Sequence, residues 1–150
     1  SEMCKETEIV GCPIIREEDG LAKSSRNTYL SAEERTAATV LHKGLTAGEE
    51  LLRSGEKNAA KVVAEIRKVI ENEPLAKIDY VELVDWNTLK PVETVSGEVL
   101  CAVAVYIGKT RLIDNFIDNG NDFEFMKERE EVEPNRDKTS SFLYTYEIFL

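Results

Sequence analysis

The sequence predicts an α+β fold in which two helices pack on one face of a small three-stranded antiparallel sheet. Apolar residues recur at three- and four-residue steps from Ser31 to Leu52, and again from Asn58 to Asn72. Beyond Pro74 the period switches to alternation, with β-branched and aromatic residues prominent. Two further strand candidates meet across the pair Gly108-Lys109, a link short enough to demand an antiparallel turn. Helices followed by strands in this order form a two-layer domain with the helices on one side.

The chain opens on Glu8-Ile-Val-Gly-Cys-Pro-Ile-Ile15, a short apolar strand candidate interrupted by Pro13. A polar loop follows, Arg16-Glu-Glu-Asp-Gly-Leu-Ala-Lys-Ser-Ser-Arg-Asn27, in which Gly20 permits a turn where a side chain would clash. Ser31-Ala-Glu-Glu34 has the spacing of a capping box and starts the first helix. Val40, Leu41, Gly44, Leu45, Gly48, Leu51 and Leu52 form its apolar side, and Ser54-Gly55 closes it. Gly44 and Gly48 lie one turn apart on that side, which predicts the close approach of another element. Asn58 is placed to cap the second helix, whose apolar face is Ala59, Val62, Val63, Ile66, Val69 and Ile70, and Pro74 ends it.

Ile78-Asp-Tyr-Val-Glu-Leu-Val84 alternates and is read as the first strand of the sheet. Asp85 to Pro91 is a loop, and Val92 to Gly97 a short link. The nearly continuous apolar run Val99 to Ile107 is a central strand, and Thr110 to Ile117 its hairpin partner. Residues 118–150 differ in character. Asp118 to Asp122 is a turn-rich break, Lys127 to Glu133 a charge run without apolar period, and Phe142 to Leu150 a set of aromatic β-formers. That segment is either a poorly ordered appendage, a foreign tail, or a strand for an open sheet edge.

At 150 residues the chain is one domain, or one small domain plus a tail, with room for a modest core. Its net charge of −10 argues against a general nucleic-acid surface, which needs clustered Lys and Arg, but leaves room for a local basic pocket. No run approaches the roughly 20 apolar residues of a membrane span, and the charged N-terminus lacks a signal-peptide core. Cys4, Cys12 and Cys101 are too scattered for a disulfide scaffold. With His42 as the only histidine, they also argue against a zinc site. Cys101, inside an apolar run, is expected as a buried small hydrophobe, and a reducing cytoplasm fits the pattern.

Chemistry concentrates in Lys23-Ser24-Ser25-Arg26. Two hydroxyls flanked by two cations make a compact donor set for a polyphosphate: a flat guanidinium fork, a mobile ammonium and short hydroxyl donors. Alone, the run does not separate a phosphate site from a solvated basic loop. Its setting between an apolar strand candidate and a helix start adds backbone N–H groups and positive partial charge.

The assembly C-P-I-I-R-E-E-D-G-L-A-K-S-S-R-N-T-Y-L-S resembles the signature of the pantothenate synthetase (pantoate–β-alanine ligase) family. The resemblance continues through Ile78-Asp-Tyr-Val-Glu82 and Ile107-Gly-Lys-Thr-Arg-Leu-Ile-Asp-Asn115, covering residues 8–117. It implies the family's C-terminal, ATP-covering domain over residues 16–117. Residues 1–15 are then the last strand of a Rossmann-like N-terminal domain that this chain lacks. It also implies an AMP-forming reaction, in which ATP adenylates the pantoate carboxylate and the β-alanine amine then displaces AMP. Ser24, Ser25 and Arg26 match the Ser-Ser-Arg that contacts the ATP phosphates, with Arg26 as the catalytic candidate on the departing pyrophosphate. Ile15 matches a residue whose main chain contacts the adenine, and Mg²⁺ is expected to travel with ATP. Lys23 stands where the family more often has an apolar residue, so it either adds a phosphate contact or points to solvent.

Elsewhere the expected roles are structural. Arg16, Glu17, Glu18 and Asp19 are read as a solvated loop with internal ion pairs, and Asp79, Asp85, Lys109 and Arg111 as strand neighbours. Uncovered apolar residues at Ile9, Val10, Ile14 and Ile15 predict a homodimer, and half a clamp predicts a fragment inactive by itself. Two other functions compete: a non-catalytic module whose basic loop docks an acidic partner, and the lid of another nucleotidyltransferase, which the overall acidity disfavours.

Overall fold

The computed structural model describes residues 14–119. Most of the opening strand candidate and the whole of 120–150 lie outside them. Ile14 and Ile15 are described and are not part of a strand. Within the described residues the α+β layer is as expected. A six-residue α1 (Ala32–Ala37), α2 (Val40–Arg53) and α3 (Ala59–Glu71) precede β1 (Ala76–Asp85), β2 (Val99–Ile107) and β3 (Thr110–Asp118). The sheet runs β1-β2-β3 with both pairings antiparallel. β2 and β3 join through the two-residue link, where Gly108 takes φ +58, the left-handed conformation that tight hairpin turns ask of their first central residue.

The first helix differs from expectation by a break. Thr39 N–H bonds the Thr36 carbonyl at 3.3 Å and Leu41 N–H the Ala38 carbonyl at 3.3 Å, a step of 3-10 spacing between α1 and α2. Two threonine hydroxyls bend the chain there by bonding back into it: Thr36 to Ala32 O at 3.1 Å and Thr39 to Thr36 O at 2.8 Å. The caps are as read. Ser31 and Glu34 form a complete capping box, and Asn58 accepts from Lys61 N–H at 3.2 Å.

Both long helices lie on one face of the sheet. Val62, Ile66 and Ile70 from α3 and Leu41 and Leu45 from α2 meet Val99, Cys101, Val103, Val105 and Ile107 of β2, with Leu112 and Phe116 of β3. Each such side chain removed from water contributes about 1.5–3 kcal/mol before chain entropy is charged against it. Gly44 and Gly48 are where α3 approaches α2: a Cβ at Gly48 would stand 2.5 Å from the Ile66 side chain, and one at Gly44 2.9 Å from Ile70. Cys101 is free and fully buried, and burial pushes its thiol pKa far above the usual range. No helix among the described residues is long and apolar enough to cross a membrane.

One irregularity matters for the site. The β1–β2 register shifts between Ile78 and Tyr80, leaving Asp79 as an extra residue in β1. Such a bulge re-aims a side chain. Asp79 reaches across the central strand to β3, where it accepts from Arg111 Nε at 2.9 Å and pairs with Nη2 at 2.9 Å. The Arg111 guanidinium also sits 5.8 Å from the centroid of the Tyr80 ring, within cation–π range.

Candidate functional site

The loop from Arg16 is closed on itself. Arg16 and Ala22 form an antiparallel bridge, Glu17 N–H bonds the Leu21 carbonyl at 2.8 Å, and Lys23 N–H bonds the Ile15 carbonyl at 2.8 Å. Gly20, at φ +90, makes the turn, and a side chain there would collide with the His42 ring. Leu21 plugs the loop into the core, 3% exposed.

The charges of this loop reach farther than expected. Arg16 is not solvated. Its side chain is 15% exposed, and the guanidinium grips Asp114 of β3 with two bonds of 2.7 and 3.0 Å and also donates to the Gly20 carbonyl at 3.0 Å. Asp19 takes a two-bond grip from Arg35 of α1 at 2.7 and 3.1 Å, and that partner holds its carboxyl pKa below the usual value. Within the loop segment itself, Lys23 pairs with Glu17 at 4.0 Å, between side chains roughly half exposed. Such a pair is weak in water and leaves the ammonium mobile.

Ser24 to Arg26 follow directly and form a feature the sequence did not announce, a 3-10 turn over Ser25–Tyr29. Ser24 caps it, its hydroxyl accepting from Arg26 N–H at 3.2 Å. Ser25 is exposed, and its hydroxyl makes no hydrogen bond among the described residues. Arg26 is exposed and spends one guanidinium N–H on the Arg111 carbonyl at 3.2 Å, on the edge strand. Its guanidinium makes no other hydrogen bond among the described residues. Asn27 ties the turn back to the loop through a 3.0 Å bond to the Ala22 carbonyl.

Lys23, Ser24, Ser25 and Arg26 thus lie together on one solvent-facing rim, with Ile15 joined to it through Lys23 N–H. The Ile15 side chain is 70% exposed. The helix start at Ser31 is a separate matter. The capping box takes up the N–H groups of Ser31 and Glu34, and the Glu33 and Glu34 carboxylates offset the positive partial charge of the helix start. Sequence reasoning missed Arg16, Asp114 and the Asp79–Arg111 pair as partners. Asp114 carried a visible signal, a carboxylate at the core-facing position between Leu112 and Phe116.

His42, on α2, is half-buried against Gly20. Burial first, and the Arg16 cation second, lower its pKa from 6.5. The neutral ring is therefore favoured in the fold, while the unfolded chain takes up a proton as pH falls through 6.5. Its contribution is complete above 6.5 and declines as pH drops from there toward the lowered folded value. Melting temperatures at about pH 8 and pH 5 are expected to differ more for this chain than for His42→Gln. Equal differences would remove His42 from the acid response.

The family profile described as pantoate-beta-alanine ligase matches residues 1–117. A protein named pantothenate synthetase from Clostridium acetobutylicum is 64% identical over 109 residues, 73% of this chain and 39% of the relative. Its namesake from Enterococcus faecalis is 61% identical over 109 residues, with the same coverage. A crystal structure of pantothenate synthetase from Thermus thermophilus superposes with a TM-score of 0.68 at 39% identity, covering 72% of this chain and 39% of that one. The chain therefore spans about two fifths of the length of the relatives it matches. With that match across more than two thirds of its residues, this chain belongs to the pantoate-beta-alanine ligase family.

Proposed function

We propose that this chain supplies the ATP-phosphate contacts of a ligase that condenses pantoate with β-alanine through a pantoyl adenylate. The observation that carries the reading is the mounted rim Lys23–Arg26. Two cations and two serines project to solvent from a capped turn that is itself tied to the sheet edge. This donor set fits a polyphosphate. Oxygens of the β- and γ-phosphates take the free N–H groups of Arg26, with the Ser25 hydroxyl and the Lys23 ammonium beside them.

The chemistry asks for this arrangement. Pantoate's carboxylate attacks the α-phosphorus of a polyanion, and pyrophosphate leaves with added negative charge. A fixed guanidinium at the β- and γ-oxygens stabilises that charge as it develops, with no reorganisation needed at the moment of reaction. Mg²⁺ carried in with ATP would neutralise part of the same charge. On this reading the pantoate and β-alanine pockets lie in a Rossmann-like domain outside the described residues. The chain alone does not complete the condensation, since orienting two reactants needs both halves of the clamp.

The test is a titration of the isotopically labelled chain with MgATP, followed by amide resonances. Ser24, Ser25 and Arg26 are expected to move together at roughly millimolar nucleotide, as suits a half-site, and Arg26→Ala to abolish the response. Unmoved amides in that segment up to saturating nucleotide, or movement that survives Arg26→Ala, would overturn the reading.

A further inference from the structure

We propose that Arg16 and Asp114 are positioning residues that hold the segment 16–26 in its phosphate-binding shape. The inference rests on the reading of Ser24–Arg26 given above. It starts from an oddity of β3. Leu112, Asp114 and Phe116 share the face that packs under the helices, yet the middle residue is a carboxylate, 2% exposed in its side chain. A leucine there would continue the apolar face. Burying a carboxylate is costly, and a buried ion pair is seldom more stable than apolar side chains of equal volume. What the pair provides is geometry. Both Asp114 oxygens are engaged by the Arg16 fork, and one also accepts from Asn115 N–H at 2.8 Å, so Asp114 is fixed in orientation as well as in place.

The other end of the segment is moored to the same strand. Arg26 donates to the Arg111 carbonyl, three residues from Asp114. Three strand residues span about 10 Å, whereas the ten residues from 16 to 26 could extend to about 33–36 Å. β3 thus gathers the segment to about a third of its reach. Between the moorings the chain is held by its own short bonds, the Arg16–Ala22 bridge, the Gly20 turn and the Ser24 cap, by the Asp19–Arg35 pair to α1, and by Leu21 in the core. The third Arg16 contact, to the Gly20 carbonyl, ties that turn to the same anchor. Releasing Arg16 frees the bridge and the turn together. The only remaining side-chain mooring of the segment to β3 is then the Arg26 bond, made by the very side chain that must also meet the phosphates, while Asp19 and Leu21 hold the loop to α1 and the core.

The pair can be cut from either side. Asp114→Asn removes the charge and keeps the shape; Arg16→Gln cuts the same link from the loop and leaves the sheet intact should the first variant fold poorly. In the free chain, amide hydrogen exchange at Glu17, Gly20, Lys23 and Arg26 is expected to accelerate about tenfold or more, while amides of α3 and β2 keep their protection. In the MgATP titration, the midpoint for the Ser24–Arg26 amides is expected to rise about fivefold or more, and the double variant to match the worse single one. Arg16→Lys, retaining one charge without the fork, is expected to fall between the wild type and Arg16→Gln. Unchanged loop exchange and midpoint in both single variants would overturn the inference, as would acceleration spread evenly over α3 and β2. In those cases an intact response to Arg26→Ala leaves the phosphate reading standing. A wild-type chain that ignores nucleotide sinks both.

Discussion

Arg26→Ala, built into a complete ligase, is expected to lower turnover by about 100- to 1,000-fold, with the melting temperature nearly unchanged. A suitable host is the Clostridium acetobutylicum relative with its matching segment replaced by residues 14–119 of this chain, given their 64% identity. The two halves of this expectation come from different facts. Arg26 is exposed, and its one side-chain bond within the described residues is a 3.2 Å contact to a strand carbonyl. Removing it costs about 0.5 kcal/mol or less of stability, as for most surface substitutions. On the proposed reading the side chain has no catalytic substitute. The neighbouring Lys23 carries a point charge on a mobile stem and shares it with Glu17. Arg26→Lys separates charge from fork, and recovery of about tenfold over the alanine variant is expected from charge alone. A turnover loss that merely tracks a fall in melting temperature would show that Arg26 serves the fold and not the phosphates.

How much of this was legible depended on the range of the interaction. The helices α2 and α3 were readable because a buried stripe writes a period into the sequence, and Asn58 and Ser31 because caps act within three residues. The sheet followed from alternation and from Gly108-Lys109. The 3-10 turn at Ser25–Tyr29 left no such mark: none of its residues is buried, so no apolar period records it. The break at Ala38–Thr39 fell inside a continuous apolar pattern, and only the back-bonding of Thr36 and Thr39 gave it away.

The site divides along the same line. Lys23, Ser24, Ser25 and Arg26 are contiguous, so a local reading could group them, and the structure keeps them on one rim. Their supports are not local. Arg16 and Asp114 are 98 residues apart, and Arg26 and Arg111 are 85 apart. A reading based on neighbouring residues assigns Arg16 to its own loop, where Glu17, Glu18 and Asp19 offer nearer carboxylates. The fold overrides that choice because β3 brings Asp114 beneath the loop with its oxygens already oriented. Asp79 reached Arg111 for a related reason: a bulge that no residue type announces turned it across the central strand.

Gly48→Val is expected to destabilise the chain by about 3 kcal/mol, lowering its melting temperature by about 10–20 °C for a domain of this size. Helix propensity gives no warning, since valine in a helix interior is favoured over glycine by a few tenths of a kcal/mol. The cost is steric. The first added carbon alone would stand 2.5 Å from both Cγ1 and Cδ1 of Ile66 and 3.5 Å from Val62 Cγ1. Ile66 cannot swing aside. It is fully buried, β-branched and on a helix, where one χ1 rotamer dominates. The helices must therefore separate, and that disturbs the packing of α3 over β1 and β2. Ile66→Ala is expected to cost about 2–5 kcal/mol by itself, through lost burial and the cavity left behind. Combined, the two substitutions trade volume across one contact, and the double variant is expected to be more stable than the sum of the singles by about 1–3 kcal/mol. Denaturant unfolding of the four proteins measures that coupling. Additive losses would mean that Gly48 and Ile66 are independent, and that the close approach of α2 to α3 rests on something other than the missing side chain.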